Sequence, residues 1–152
     1  KFTALISFDV KISDHDQINN GAKIGVFQFL FGILGNLNQL VLNVEATGSS
    51  LSASLTQNDP DGTVPPSSPS PIAAKEWVHV EFELEVNEPE GTDNYLSLRV
   101  GDETVYDGQL GIRLVGVGPR MEIGIPAFET SPEAKPWAVR HENVLVIIQE
   151  KE

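Results

Sequence analysis

The sequence predicts an all-β fold, a two-sheet antiparallel jelly-roll sandwich. Short segments alternate between apolar and polar residues from Phe2 to Ile148, and clusters of Gly, Pro, Asn and Asp separate them. No segment combines a helical period with capping residues. The 152 residues are enough for a single domain, residues 1–152, to bury a core without disulfides, and the chain has no cysteine.

Four strands are predicted in the first half of the chain. The first is the clearest, because its apolar residues occupy every second position and therefore share one face. The second is rich in aromatic residues and apolar at both parities, which is typical of a strand buried on both faces. The four strands are Phe2–Ile12, Lys23–Phe31, Leu40–Val44 and Leu51–Leu55, with a turn at Gly32–Asn38 between the second and third.

A segment rich in Pro and Ser, Asn58–Ala74, follows the fourth strand and holds five of the ten prolines. Proline cannot donate a ladder hydrogen bond, so this segment is not expected to form a central strand. A loop of this length within one domain is either functional or disordered, and the sequence leaves both open.

The second half alternates again and ends in a long strand. Glu76–Val86 places Val78, Val80, Phe82 and Leu84 on its core face. Gly101-Asp102 predicts a hairpin turn. The remaining strands are predicted at Asn94–Val100, Thr104–Leu110, Met121–Ile125 and Ala138–Gln149.

The charge balance limits the partners. A formal net charge of −12 repels phosphate backbones, so nucleic acid is excluded as an expected partner. Anionic membranes and anionic polysaccharides are disfavoured as well, unless a cation intervenes. No membrane insertion is expected, because the longest apolar run, Val26–Leu34, is interrupted by Gln28 and Gly32.

Four segments resemble those of a known family. Glu76–Phe82 resembles the W-x-H-V strand of laminin-G-like domains, and Leu98–Glu103 resembles the strand and hairpin that follow it. Gly124–Pro126 and Arg140–Val146 resemble the closing strands, although Glu142 stands where the family commonly has aspartate. The resemblance implies the concanavalin A-like lectin/glucanase superfamily, which includes lectins, adhesion modules and glycosidases, so it does not choose a function.

The polar face of the Glu76–Val86 strand is the first candidate ligand site. Alternation places Trp77, His79, Glu81 and Glu83 on one side, where an indole and carboxylates suit a sugar. Trp137, in the loop before the last strand, is a further candidate anchor. The alternatives are a solvated face, with Trp77 packed at the strand's edge, and a Trp137 that caps the sandwich.

Catalysis by the glutamates is ranked lower. Two glutamates that are neighbours on one strand face lie roughly 6.6 Å apart along the backbone. This is near the separation of about 5 to 5.5 Å between the two carboxyl groups of a retaining glycosidase. Glycosidases of the superfamily resemble one another in a Glu-x-Asp-x-Glu strand, and here the middle aspartate is missing. The chain also has only two tryptophans, which are few for lining several sugar subsites.

The segment Asn58–Gly62 is a candidate calcium site. Asn58, Asp59 and Asp61 offer hard oxygen ligands ahead of a glycine. The bidentate glutamate of an EF-hand loop does not follow, and these residue types are equally typical of an ordinary turn.

The sequence therefore predicts a non-catalytic carbohydrate- or glycoconjugate-binding module, assisted by calcium, in a secreted or cell-surface protein. A structural or adhesive module with a protein partner is the alternative, and an exposed apolar patch or sheet edge would favour it. A polysaccharide-degrading enzyme ranks third.

Overall fold

A computed structural model describes residues 1–13, 23–33, 36–47, 50–58, 67, 69–87, 93–110, 120–124, 128–129 and 138–151. The all-β prediction is confirmed: across these ranges the chain forms strands and no helix, so none of them could cross a membrane as a helix. The strands are β1 (Phe2–Ser13), β2 (Lys23–Ile33), β3 (Asn36–Thr47), β4 (Ser50–Asn58), β5 (Ser70–Ile72), β6 (Trp77–Val86), β7 (Asn94–Val100), β8 (Glu103–Leu110), β9 (Arg120–Ile123), β10 (Phe128–Glu129) and β11 (Ala138–Glu150).

The strands form two antiparallel sheets. The five-stranded sheet has the order β11-β1-β6-β7-β8, so the first strand lies between the last strand and β6. The six-stranded sheet has the order β10-β2-β3-β4-β5, and β9 pairs with β2 beside β10. Connections that leave one sheet and return to it are typical of the jelly roll.

The core lies between the sheets and follows from the alternation of each strand. In β1, Ala4, Ile6, Phe8 and Val10 are all at most 2% exposed. Phe27 of the six-stranded sheet contacts Phe8 and Phe82 of the other, with ring centroids 5.7 and 5.1 Å apart, and Phe29 lies 5.7 Å from Phe82. Aromatic pairs at these distances add to the apolar burial that holds the sheets together.

The strand predictions need three corrections, one of which is that no predicted strand covers β10. The predicted turn Gly32–Asn38 is too long, because β2 continues to Ile33 and β3 begins at Asn36. The Pro/Ser-rich segment contains β5, which the sequence did not predict as a strand. Its Pro71 is compatible with a strand here because β5 lies at the edge of the sheet, where no second ladder needs its N–H.

Two irregularities interrupt the ladders. The β2–β3 register shifts between Gly25 and Phe27, and the carbonyl of Val26 there accepts bonds from the Gly124 N–H at 3.3 Å and from His141 Nε2 at 3.2 Å. His141 belongs to the other sheet, and its half-buried ring packs 5.6 Å from Phe8. The β1–β11 register shifts near Asn143, which has a φ of 54°.

The last strand is the exposed edge of the five-stranded sheet. Its run Val144–Ile148 consists of branched aliphatic residues that are 39 to 60% exposed. Both faces of this part of β11 are therefore in contact with solvent.

Candidate functional site

The centre of the outer face of the six-stranded sheet is largely shielded from solvent. Gln28, Val41 and Asn43 point away from the core, since they alternate with core residues, yet they are only 8, 8 and 6% exposed. An outer position on a sandwich is normally solvated, so neighbouring groups must cover these three residues from solvent. We call the surface formed by Gln28, Val41, Asn43, Thr56, Arg120 and Glu122 the outer recess.

One wall of the recess is a chain of polar contacts between β2 and β9. Gln28 lies directly opposite Glu122 in the register and donates its Nε2 to that carboxylate. The other oxygen of Glu122 pairs with Arg120 at 2.5 Å. The Arg120 side chain is 74% exposed and that of Glu122 29%, so Glu122 holds an outward-facing guanidinium at the rim.

The floor of the recess is set by Asn43 on β3. Its Nδ2 donates to the Val41 carbonyl at 3.0 Å and to Thr56 Oγ1 at 2.6 Å. Both amide hydrogens are thereby used within the fold, and its Oδ1 has no hydrogen-bond partner in the described part of the chain. A buried acceptor of this kind suits a hydroxyl donor.

The outer recess also lies on the less acidic of the two outer faces. Among described side chains, the outer face of the six-stranded sheet has two basic and two acidic residues, Lys23 and Arg120 against Glu45 and Glu122. The outer face of the five-stranded sheet has four basic and six acidic ones, Lys11, Arg99, Arg140 and Lys151 against Asp9, Glu81, Glu83, Glu85, Asp107 and Glu142. In a chain of net charge −12, an anionic ligand is least opposed at the recess.

The sequence-predicted residues Trp77, His79, Glu81 and Glu83 do share one face, the outer face of β6 in the five-stranded sheet. This face is more open: Trp77 is 42% exposed. His79 and Glu81, with Arg99, line a shallow depression.

His79 is oriented by Asp9. Its Nδ1 lies 2.7 Å from Asp9 Oδ1, and Asn143 Nδ2 donates to the other Asp9 oxygen at 2.6 Å. The bonds from Asn143 and His79 lower the pKa of Asp9 below its ordinary value. The carboxylate therefore stays charged at neutral pH and fixes the imidazole on this face.

The remaining predicted site residues are Trp137 and the calcium candidates Asn58, Asp59 and Asp61. Trp137, Asp59 and Asp61 lie outside the described residues, and Asn58 ends β4 with no description of its side chain. The calcium prediction therefore stays a prediction. Within the described ranges, no group of three or more His, Asp or Glu side chains converges as a metal site would require.

Sequence reasoning missed the recess residues, although a signal was present. Gln28 stands between Phe27 and Phe29, and Asn43 between Leu42 and Val44. A polar residue in a strand that is otherwise apolar needs a partner when buried, and such a position is a candidate site. Arg120 and Glu122 carry no comparable signal, because they look like an ordinary solvated strand edge.

Solved structures with the same fold supply the comparison. A double mutant of the alginate lyase Aly36B in complex with an alginate trisaccharide superposes with a TM-score of 0.63 at 16% identity, covering 99% of this chain and 71% of that one. The marine PL-14 alginate lyase from Aplysia kurodai gives 0.58 at 12% identity, covering 95 and 69%. No family model and no curated protein matches the sequence.

These neighbours share the jelly-roll β-sandwich, and they correct the predicted function. The chain was expected to be a non-catalytic binding module and not an enzyme. Four solved structures that share its fold are alginate lyases, which are polysaccharide-degrading enzymes. The class ranked third from sequence is the one that these comparisons favour. The sequence misled because the sandwich motifs are common to binding modules and enzymes alike.

Proposed function

We propose that this chain is a polysaccharide-degrading enzyme of the alginate-lyase type, and that it holds an acidic polysaccharide in the outer recess. The observation that carries the proposal is the pair of buried amide side chains, Gln28 and Asn43, on the outer face of a sandwich whose structural neighbours are alginate lyases. We place the chain in the concanavalin A-like superfamily on the sequence motifs, and outside the cell, where such polysaccharides occur.

The chemistry of a lyase sets what the site must supply. The C–H bond next to the uronate carboxylate breaks, the neighbouring C–O bond to the next sugar breaks, and a C=C bond forms between the two carbons. A base takes the proton, and the leaving oxygen receives one. Negative charge grows on the carboxylate during the first step, so donors aimed at that carboxylate lower the barrier.

The recess supplies such donors. Arg120 presents a guanidinium at the rim, and Glu122 fixes its position. Gln28 uses one amide hydrogen on Glu122 and has a second to offer. Because Glu122 is already engaged by Gln28 and Arg120, we assign the described recess residues to binding and to charge stabilisation.

Calcium remains a proposed aid to binding. An anionic polymer meets a chain of net charge −12, and a divalent cation held near Asp59 and Asp61 would offset that repulsion.

The test is incubation with alginate, other polyuronates and a neutral glucan, followed by ultraviolet absorbance of the new C=C bond and mass spectrometry of the products. A lyase adds no water at the cut, whereas a hydrolase adds one. Arg120→Ala removes a charge-assisted contact to the substrate carboxylate, so it should lower kcat/KM roughly ten- to a hundredfold. Arg99→Ala removes the same charge from the opposite face and should leave it unchanged.

Gln28→Leu tests the buried amide separately from the rim charge. We expect a similar or larger loss, with folding checked by NMR. If the folded wild-type chain forms no product from any polyuronate, with or without calcium, the proposed function is wrong. If Arg120→Ala and Arg99→Ala lower kcat/KM equally, the outer recess is not the binding site.

A further inference from the structure

A row of two cations and an indole crosses one end of the outer face of the five-stranded sheet. In the register, Lys11 lies opposite Arg140 on one side and opposite Trp77 on the other. Adjacent strands are about 4.8 Å apart, so the three side chains leave the sheet as immediate neighbours. We call Arg140, Lys11 and Trp77 the basic row.

The backbone holds the basic row in register. The Lys75 N–H donates to the Ile12 carbonyl at 2.9 Å, which fixes the entry to β6 against the end of β1. On the other side, Ser13 Oγ donates to the Ala138 carbonyl at 3.5 Å. The row is therefore built on three paired strands and does not depend on a loop for its geometry.

Both cations are available to a ligand. Neither Lys11 nor Arg140 forms an ion pair with another described residue, and Arg140 is exposed. Trp77 is 42% exposed, although burying a tryptophan is strongly favourable. The basic row thus presents two cations beside an exposed indole in a chain of net charge −12.

The rest of this face limits what can bind. Asp9, His79 and Glu142 form the next row, and Glu81 and Glu83 follow. A polyanion laid along β6 would meet these carboxylates, whereas one that crosses the end of the face along the basic row, with one or two sugar units in contact, would not.

We propose that the basic row is a second binding site for an acidic glycan, on the opposite face from the outer recess. The indole covers the apolar face of one sugar ring, and Lys11 and Arg140 receive its carboxylate. The ligand class rests on the proposed function, but the site uses none of the recess residues. Occupation of both faces would keep the enzyme on its polymer between cuts.

The test is native electrophoresis through gels with and without alginate. Wild type should be retarded by alginate, less so at high salt. Trp77→Ala and the double variant Lys11→Ala/Arg140→Ala should each weaken the apparent affinity roughly tenfold, as expected for anchor residues. Arg99→Ala is the matched control on the same face and should migrate as wild type.

The outcomes separate this site from the proposed function. Retardation that is lost in Trp77→Ala and retained in Arg120→Ala supports the basic row, even if the chain cuts no polyuronate. Retardation unchanged in Trp77→Ala and in the double variant overturns it, even if lyase activity is present. Equal loss in Arg99→Ala, or equal retardation by a neutral glucan, would also overturn it.

Discussion

Phe82 joins the two sheets, and its replacement by alanine is expected to be among the most damaging core substitutions. The side chain is 0% exposed and contacts Phe27 and Phe29 of the opposite sheet at 5.1 and 5.7 Å. Truncating a buried phenylalanine costs about 3 to 5 kcal/mol. Because each aromatic pair adds about 0.5 to 1.5 kcal/mol beyond burial, we expect the upper part of that range, about 4 to 5 kcal/mol.

Phe82→Leu provides the graded comparison. Leucine keeps most of the apolar burial but loses both ring contacts, so we expect a loss of about 1 to 3 kcal/mol. Urea unfolding followed by fluorescence gives both free energies, and an unchanged m-value shows that the same surface is exposed. For a chain of this length, the alanine variant should melt roughly 8 to 20 °C lower.

Comparing Phe82→Ala with Phe82→Leu separates the contribution of the ring contacts from that of the buried volume. If Phe82→Ala costs less than about 2 kcal/mol with an unchanged m-value, the aromatic cluster does not hold the sheets together. Equal losses in the alanine and leucine variants would show that the ring contacts, and not the buried volume, dominate.

Two further predictions concern the junctions between strands. Burial lowers the pKa of His141, so below about pH 6.5 the unfolded chain takes up a proton that the folded chain does not, and stability falls as the pH drops through this window. Urea unfolding between about pH 7.5 and pH 5 should show that the free energy of unfolding depends less steeply on pH in His141→Phe than in wild type. An unchanged pH dependence in the variant would contradict this origin. Asn143 has a φ of 54°, so Asn143→Val should lower the free energy of unfolding by about 1 to 3 kcal/mol. Asn143→Gly keeps the backbone conformation but removes the donor to Asp9, so the pKa of Asp9, measured by NMR titration of the carboxyl, should rise towards its ordinary value. Equal losses of stability in the two variants would rule out backbone strain.

The strands were predictable because their alternation reflects the burial of one face. Phe2–Ile12 and Asn94–Val100 were placed within a residue of β1 and β7, where most core-facing positions are apolar and most outer ones polar. β5 was missed because three residues with a central proline give no period to read. The predicted turn before β3 was too long because its Asn and Gly residues are typical of turns, while pairing with β2 extends the strand.

Local pattern marks Gln28 and Asn43 as polar residues in apolar strands, but it does not show that they meet Arg120 and Glu122 in one recess. Gln28 and Glu122 are 94 residues apart in sequence, and nothing in either segment indicates that β2 and β9 pair. The face of β6 was easier to identify, since Trp77, His79 and Glu81 alternate within one strand. Sequence reasoning therefore favoured a surface formed by a single strand over one formed by four strands, β2, β3, β4 and β9.

The Val26 carbonyl has a consequence for how the molecule is assembled. It accepts a bond from His141, 115 residues later, and β1 can complete its pairing only when β11 has been synthesised. Contacts so distant in sequence must close large loops before they contribute, which makes folding slow for a chain of this size. The bulge beside Gln28 therefore cannot receive its bond from His141 until residue 141 has been made, so the two sheets are joined at this point only after 115 further residues.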